Sequence, residues 1–316
     1  MISIIVPAYN AERFIERTIA SITSQSYAEK EIIVVDDGST DSTPAILDRL
    51  AAEIGNLRIF HIPNGGAYAA RLYGVRQARG EWIGFVDSDD KMRPDAIQSL
   101  HSLIRSDIDI VVGTLNIDNR TTYVHRVNGE VTPEEYASAL LMGGTSVGNY
   151  GKLIRRSLFE GAPVVSRHIV QNEDLLLMLH LALCSRKIFV AADLVVYDYI
   201  FRNDSISKSV RSPLSTWFDL FQLVESQVAP YPALKDSFVN FRLHRLYDSV
   251  ILNRTPIRND DSRVMALKEE SVGAVLDDMS ERCLELLSSP SARYFAGVMY
   301  QTRGVLRRIY HKITGR

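Results

Sequence analysis

Apolar positions in the first 113 residues follow two alternating periods. Short, nearly continuous runs rich in β-branched residues stand at 3–6, 32–35, 57–62, 82–86 and 108–112, the pattern expected of strands buried on both faces. Between them the apolar residues return at helical spacing. Phe14, Ile15, Ile19 and Ile22 form one face, and Ile46, Leu47, Leu50 and Ile54 another. Pro44 and Pro94 stand where a proline opens a helix, with Asp95 in the first turn beside the positive end of the helix dipole. Strand–helix–strand units of this length predict an α/β fold, with a mostly parallel sheet flanked by helices.

After residue 113 the rhythm changes. The stretch YVHRVNGEVT, residues 123–132, predicts a hairpin that turns at Asn128–Gly129. A helix is expected from Pro133 to the glycines at 143 and 144, and a second from about Glu173 to Cys184. The run IFVAADLVVYDYIF, residues 188–201, then predicts a strand, and from Pro213 the pattern is helical. The expected organisation is a domain of residues 1–210, with halves 1–113 and 114–210, followed by a mainly helical C-terminal region of 211–316. No internal repeat or low-complexity tract is visible.

Composition narrows the class. With 46% hydrophobic and 23% charged residues in a chain of 316, a disordered or fibrous protein is excluded. A net charge of −2 gives no reason to expect a nucleic-acid partner. No apolar run approaches the roughly 18–20 residues that span a bilayer. MISIIVPAYN lacks the basic start and long apolar stretch of a secretory signal. The expected location is the cytoplasm. Cys184 and Cys283 lie in apolar helical contexts, which predicts two buried thiols rather than a disulfide or metal site.

Ligands of open parallel sheets bind beyond the carboxyl ends of the strands, and there this chain places its polar residues. The first strand ends in Pro7-Ala8-Tyr9-Asn10, the second in Asp36-Asp37-Gly38-Ser39-Thr40-Asp41, and the fourth in Asp87-Ser88-Asp89-Asp90. Each has an ordinary reading. Asp41 to Thr43 suit a helix cap, Tyr9 suits half-buried packing, and Asp90 suits solvent. A cap does not explain two acids directly at a strand end. The alternative is a divalent cation, Mn²⁺ or Mg²⁺, held by carboxylate oxygens together with substrate phosphates.

The three stretches PAYNAERFIERTIASITSQSY, EIIVVDDGSTD and GEWIGFVDSDD resemble, in order and spacing, the nucleotide-sugar half of glycosyltransferase family 2. The resemblance covers about residues 1–205. It implies a GT-A fold and an inverting, metal-dependent transfer of a sugar from a nucleotide donor, UDP-linked, to a glycan or glycolipid. It implies that Pro7, Ala8, Tyr9 and Asn10 surround the nucleobase, with Glu12 lining the same pocket, and that Asp37 contacts uracil. Asp87 and Ser88 fall beside the ribose, and Asp89 falls on the metal. NGGAYAARLYGVRQARG, residues 64–80, resembles the family's loop and helix before the fourth strand, although Leu72 stands where Asn is usual. Arg71 is its matching arginine, expected to pair with Asp37 or a phosphate unless it is only a surface residue.

NYGKLIRRSLF, residues 149–159, also resembles a family segment, with Lys152, Arg155 and Arg156 either structural or on the acceptor side. In QNEDLLLMLH, residues 171–180, the acids could serve only as a helix cap. The family's Glu-Asp pair stands at this point, which implies Asp174 as the base and Glu173 as an acceptor or orienting contact. YIFRNDSISKS, residues 199–209, resembles the segment that closes over donor phosphates, with Arg202, Ser205 and Ser207 as candidate contacts.

Residues 291–316 join an apolar stripe (Phe295, Val298, Met299, Leu306, Ile309, Ile313) to many basic residues. They read as a last packed helix, or else as a helix lying on the anionic inner face of the cell membrane. The competing functions are a sugar-phosphate nucleotidyltransferase and an inactive nucleotide-sugar-binding homologue. The first needs a glycine-rich basic loop after the first strand, where this chain has Pro-Ala-Tyr-Asn. A dehydrogenase lacks its Gly-x-Gly-x-x-Gly fingerprint.

Overall fold

The computed structural model describes residues 1–117, 121–169, 171–200, 212–251 and 261–288. The chain forms two compact units, Met1–Val210 and Arg211–Arg316.

The first unit is built on one mixed sheet. Its strands are β1 (Ile2–Ala8), β2 (Lys30–Asp36), β3 (Leu57–His61), β4 (Trp82–Phe85), β5 (Lys91–Met92), β6 (Ile110–Ile117), β7 (Thr121–Thr122), β8 (Gly129–Val131), β9 (Lys152–Arg155) and β10 (Ile188–Tyr199). The main order is β3-β2-β1-β4-β9-β6-β10-β5. Strands β3, β2, β1 and β4 run parallel, as do β6 and β10, while β9 enters antiparallel between β4 and β6. Ile4, Ile5, Val6, Ile32, Ile33 and Val34 are fully buried, consistent with layers on both sheet faces. Because β9 is antiparallel, its first residue lies at the rim where its parallel neighbours end. The loop before β9 therefore reaches the same rim as the ends of β1, β2 and β4.

The helices are α1 (Ile15–Thr23), α2 (Thr43–Glu53), α3 (Ala67–Gln77), α4 (Ala96–His101), α5 (Pro133–Leu141) and α6 (Glu173–Cys184). Helix α3 lies close against the sheet. A Cβ on Gly74 would stand 2.5 Å from Cγ2 of Ile5, so only glycine lets α3 approach this far. Helix α5 starts with a capping box in which Thr132 and Glu135 bond each other's backbone amides. In the second unit, Leu214–Val228, Lys235–Ile251, Ser262–Glu270 and Asp278–Ser288 are helical. Phe221 and Phe241 meet edge-on at 5.9 Å in its core.

Three local expectations are corrected. No hairpin closes at Asn128–Gly129. β7 pairs with β6, and β8 pairs with β10, so the two flanks belong to different partners. Asn128 instead accepts a hydrogen bond from the Ala192 amide at 3.1 Å. Asp95 is not in the first turn of its helix. It precedes α4 in the left-handed region, at φ 58°, and accepts from Ser26 Oγ at 2.6 Å. Cys184 is exposed rather than buried, whereas Cys283 is buried, and both are free thiols.

Candidate functional site

The rim begins at the end of β1. Pro7 and Ala8 are buried as the last residues of β1, and Tyr9 follows with 48% of its surface exposed. Asn10 takes a positive φ of 49° and bonds across to the next loop, with its amide donating to Ser39 Oγ and its Oδ1 accepting from the Thr40 amide. Asp37 is buried. Its Oδ1 accepts from the Gly65 amide at 2.6 Å, and its Oδ2 from the Gly66 amide at 2.8 Å. Gly66 sits at φ 91°, which L side chains rarely adopt, and that turn aims the two amides at one carboxylate. Glu12 does not line the rim freely, because its Oε2 accepts from the Ser42 amide at 2.9 Å at the start of α2. Asp41 bonds the amides of Thr43 and Glu12 and so ties the loop to the start of α2, although the N-cap itself is Ser42, whose side chain makes no cap bond.

Beyond β4 the chain turns through Asp87, Ser88, Asp89 and Asp90. Helix α1 grips this turn. Thr18 Oγ1 donates to the carbonyls of Ser88 and Asp90, and Arg17 donates to that of Asp89. Asp90 is buried, not solvated. It accepts from Tyr197 Oη at 2.9 Å and from the Ile200 amide at 2.8 Å, while Tyr197 Oη accepts from the Asp87 amide. Burial, with the charge of Asp87, pushes the Asp90 carboxyl up to about 8. Asp90 therefore anchors the turn to the end of β10, which leaves Asp87 and Asp89 half-buried at the rim.

Arg71 joins the two sides of the site. It is 4% exposed. Nη2 donates to Asp87 Oδ1 and Nη1 to Asp174 Oδ1, each at 2.8 Å. The expected pairing with Asp37 is not formed: that carboxylate accepts from the two glycine amides, while Arg71 is buried between Asp87 and Asp174 and is not a surface residue. Burial works against its charge, but Asp174 and Asp87 outweigh it and raise the pKa further. Asn149, fully buried, donates to the same Asp174 Oδ1 at 2.5 Å. Burial raises the Asp174 pKa, and Arg71 opposes the rise. Glu173 is lifted to about 7 by burial and by the charge of Asp174. These two acids open α6, and no side-chain cap bond is formed at that start.

Lys152 is structural. Its buried Nζ donates to the carbonyls of Ser146, Gly148 and Tyr150, and burial lowers it to about 7. Arg155 and Arg156 are structural too. They bond Asp109 and the Gly80 carbonyl, near the opposite ends of the strands. Asn149 and Tyr197 had no local signal, since each is one polar residue whose partners are distant in sequence. Arg202, Ser205, Ser207 and the basic stretch 291–316 lie outside the described residues.

A sequence model described as Glycosyl transferase family 2 matches residues 3–168. The chain belongs to glycosyltransferase family 2. The match covers the loops after β1, β2 and β4 and ends before Glu173. EpsH of Bacillus subtilis is 32% identical over 170 residues, which are 50% of this chain and 48% of EpsH. Chondroitin synthase of Pasteurella multocida is 38% identical over 98 residues, 31% of this chain and 10% of the synthase. This family-2 chain thus spans about half, or less, of the length of these relatives. The crystal structure of S. aureus TarS 1–349 in complex with UDP-GlcNAc has a TM-score of 0.72 to it. That match has 20% identity and covers 95% of this chain and 88% of that one. The likeness speaks for the fold, a GT-A-like mixed sheet flanked by helices. Among the described residues no helix is long and apolar enough to cross a membrane.

Proposed function

We propose that this chain transfers a sugar with inversion from a UDP-linked donor to a glycan or lipid-linked glycan, in the synthesis of a cell-surface polysaccharide. Family membership supports the reaction class. The UDP-GlcNAc complex of TarS supports the donor class, and the likeness to a chondroitin synthase supports a polysaccharide product. The observation that carries the reading is the Arg71 bridge. One guanidinium spans Asp87 of the Asp-x-Asp turn and Asp174 at the start of α6. A donor-side acid and a candidate base thereby face one small volume, as an in-line displacement requires.

In that displacement the acceptor hydroxyl gives its proton to Asp174. The acceptor oxygen bonds the anomeric carbon, and the bond from that carbon to the diphosphate breaks, its electrons leaving with UDP. Tyr9, Asn10 and Asp37 would hold the nucleobase, and Asp87 with Ser88 the ribose. Glu173 would orient the acceptor. Asp89, with Oδ2 of Asp87, offers hard oxygen donors that fit Mn²⁺ or Mg²⁺. Among the described residues no three His, Cys, Asp or Glu side chains form a cage for an ion. When bound, such an ion supplies charge neutralisation at the diphosphate.

Calorimetry of the purified chain with UDP tests the reading. UDP should bind, and bind more tightly with Mn²⁺ present. Absence of UDP binding in both conditions would overturn the proposal. Asp174→Asn should keep UDP binding and lose transfer by roughly 10²–10⁴-fold, and an unchanged rate would remove Asp174 as the base.

A further inference from the structure

Asp174 is held in an unusual way for a proposed base. Both of its protein hydrogen bonds fall on one oxygen. Oδ1 accepts from Arg71 Nη1 at 2.8 Å and from Asn149 Nδ2 at 2.5 Å. Among the described residues, Oδ2 accepts from no protein donor. We infer that Asn149 and Arg71 are positioning residues that fix the base by Oδ1 and so present Oδ2 to the hydroxyl of the acceptor. This rests on the transferase reading above and extends it to residues that do not themselves touch substrate.

Three observations support the inference. First, Asn149 is fully buried, and its own Oδ1 has no hydrogen-bond partner among the described residues. Burying an amide whose second polar atom is unpaired is destabilising, so its one short bond, to Asp174, is the reason to expect an amide there. Second, the loop that carries it is held on both sides. Lys152 bonds the carbonyls of Ser146, Gly148 and Tyr150. The Tyr150 ring stacks on Tyr197 at 4.8 Å, with 12° between the planes. Asn149 is therefore delivered from a braced segment, as a positioning group must be. Third, the other arm of Arg71 holds Asp87. The group that orients the base is tied to the turn that carries Asp89, so base and donor site share one rigid link.

A bland account competes, in which Asn149 merely satisfies a buried carboxylate and stabilises the fold. The two accounts predict different kinetics. Burial raises the Asp174 pKa, as does the charge of Asp87, while Arg71, Lys152 and the Asn149 hydrogen bond lower it; Glu173 stands beside it at the start of α6 and is itself raised by burial and by the charge of Asp174. Loss of the Asn149 bond removes support from the ionised form alone. The acidic limb of the rate profile then moves to higher pH. Loss of a merely structural tie lowers the melting temperature and leaves that limb in place.

The experiment uses the full chain with Mn²⁺ and a panel of UDP-sugars, reading UDP release into water across pH 5–9, with UDP calorimetry and melting curves alongside. For Asn149→Ala the expected result is UDP affinity within about twofold, kcat lower by about tenfold or more, KM nearly unchanged, and the acidic limb raised by about one pH unit. Asn149→Asp sets a carboxyl against Oδ1 and should raise the limb further, since two close carboxyls share a proton. It is also the variant to use if Asn149→Ala does not fold. Wild-type kcat and limb in either folded variant, or a slower rate with the limb unmoved, would overturn the inference while leaving the transferase reading intact. A wild-type chain that neither binds UDP nor releases it from any donor would overturn both.

Discussion

The two ends of one rim handle negative charge in opposite ways. At the end proposed to hold the nucleotide, Glu12, Asp36, Asp37 and Asp41 each accept from backbone amides. Their carboxylates give the loops after β1, β2 and β3 a fixed shape. At the end that carries the proposed base, Asp87 and Asp174 share a buried arginine, and burial lifts the neighbouring Glu173 to about 7. Amide dipoles are neutral and local, so they build a docking surface that does not depend on distant groups. A shared guanidinium makes each acid depend on the other, so that any change in one is felt across the site. The first end is built for shape and the second for electrostatic coupling.

Replacing Arg71 is the strongest way to break that contrast. Arg71→Leu leaves Asp87 and Asp174 without their common cation. Removing one partner of a buried ion pair destabilises by about 3–5 kcal/mol, and UDP release should fall to background. Arg71→Lys keeps the charge but lacks the planar fork that reaches two carboxylates at once, so it should recover stability better than rate. Urea unfolding and UDP-release assays check both variants. If Arg71→Lys restored the full rate, the bridge would be irrelevant to the chemistry. A comparable loss from removing an acid at the nucleotide end, such as Asp41→Asn, would erase the distinction between the two ends.

The same contrast explains which parts of the molecule could be read in the sequence. Strands β1, β2 and β4 were legible because burial on both faces demands unbroken β-branched runs. β9 was not, because a four-residue strand that starts with a buried lysine has no strand period of its own. Asn128–Gly129 is a strong local turn signal, but β7 pairs with its near neighbour β6 and β8 is drawn to the distant β10, so the expected hairpin does not close. At the rim, Asp37 and Asp87 stand where strands end, so their positions were legible. The partners of Arg71 were not, since Asp174 lies 103 residues away. Asp90 could not be told from its neighbours in the motif, because Tyr197, 107 residues later, is what buries and bonds it. Local chemistry was visible, whereas pairing across elements required the fold.

A second test acts on the loop that supports the base end. Lys152 is 2% exposed, and burial lowers it to about 7, against an attraction to Asp174. Between pH 7 and its ordinary value of 10.5 the unfolded chain keeps this proton and the native chain releases it. Stability from this group therefore rises with pH across the window, by at most about 1.4 kcal/mol per pH unit. Lys152→Met removes the dependence and leaves three carbonyls without their donor, a destabilisation of about 1–3 kcal/mol. The gap between wild type and variant should widen from pH 7 to pH 10 in urea titrations. A gap independent of pH would mean that Lys152 stays charged in the fold.

The smallest expected effect belongs to the nucleotide end. His61 Nδ1 lies 2.7 Å from Asp36 Oδ2, and Nε2 lies 3.2 Å from Asp48 Oδ1. The bond to Asp36 raises the imidazole above its usual value, against partial burial. A group raised in the folded state contributes stability that is complete below its unfolded value of 6.5 and is lost as pH climbs through the folded value. His61 is 43% exposed on its side chain, so screening limits the contribution to roughly 0.5–1 kcal/mol. His61→Gln keeps a neutral donor for Asp36 and removes only the charge. Its stability should fall below wild type at pH 6 and match it by pH 9, with UDP affinity nearly unaffected at both. The Ser39 amide bond to Asp36 and the glycine amides on Asp37 should keep the nucleotide loops in place without the imidazolium. A large loss of UDP affinity in His61→Gln would show that this end also depends on a shared cation, and the contrast between the two ends of the rim would fail.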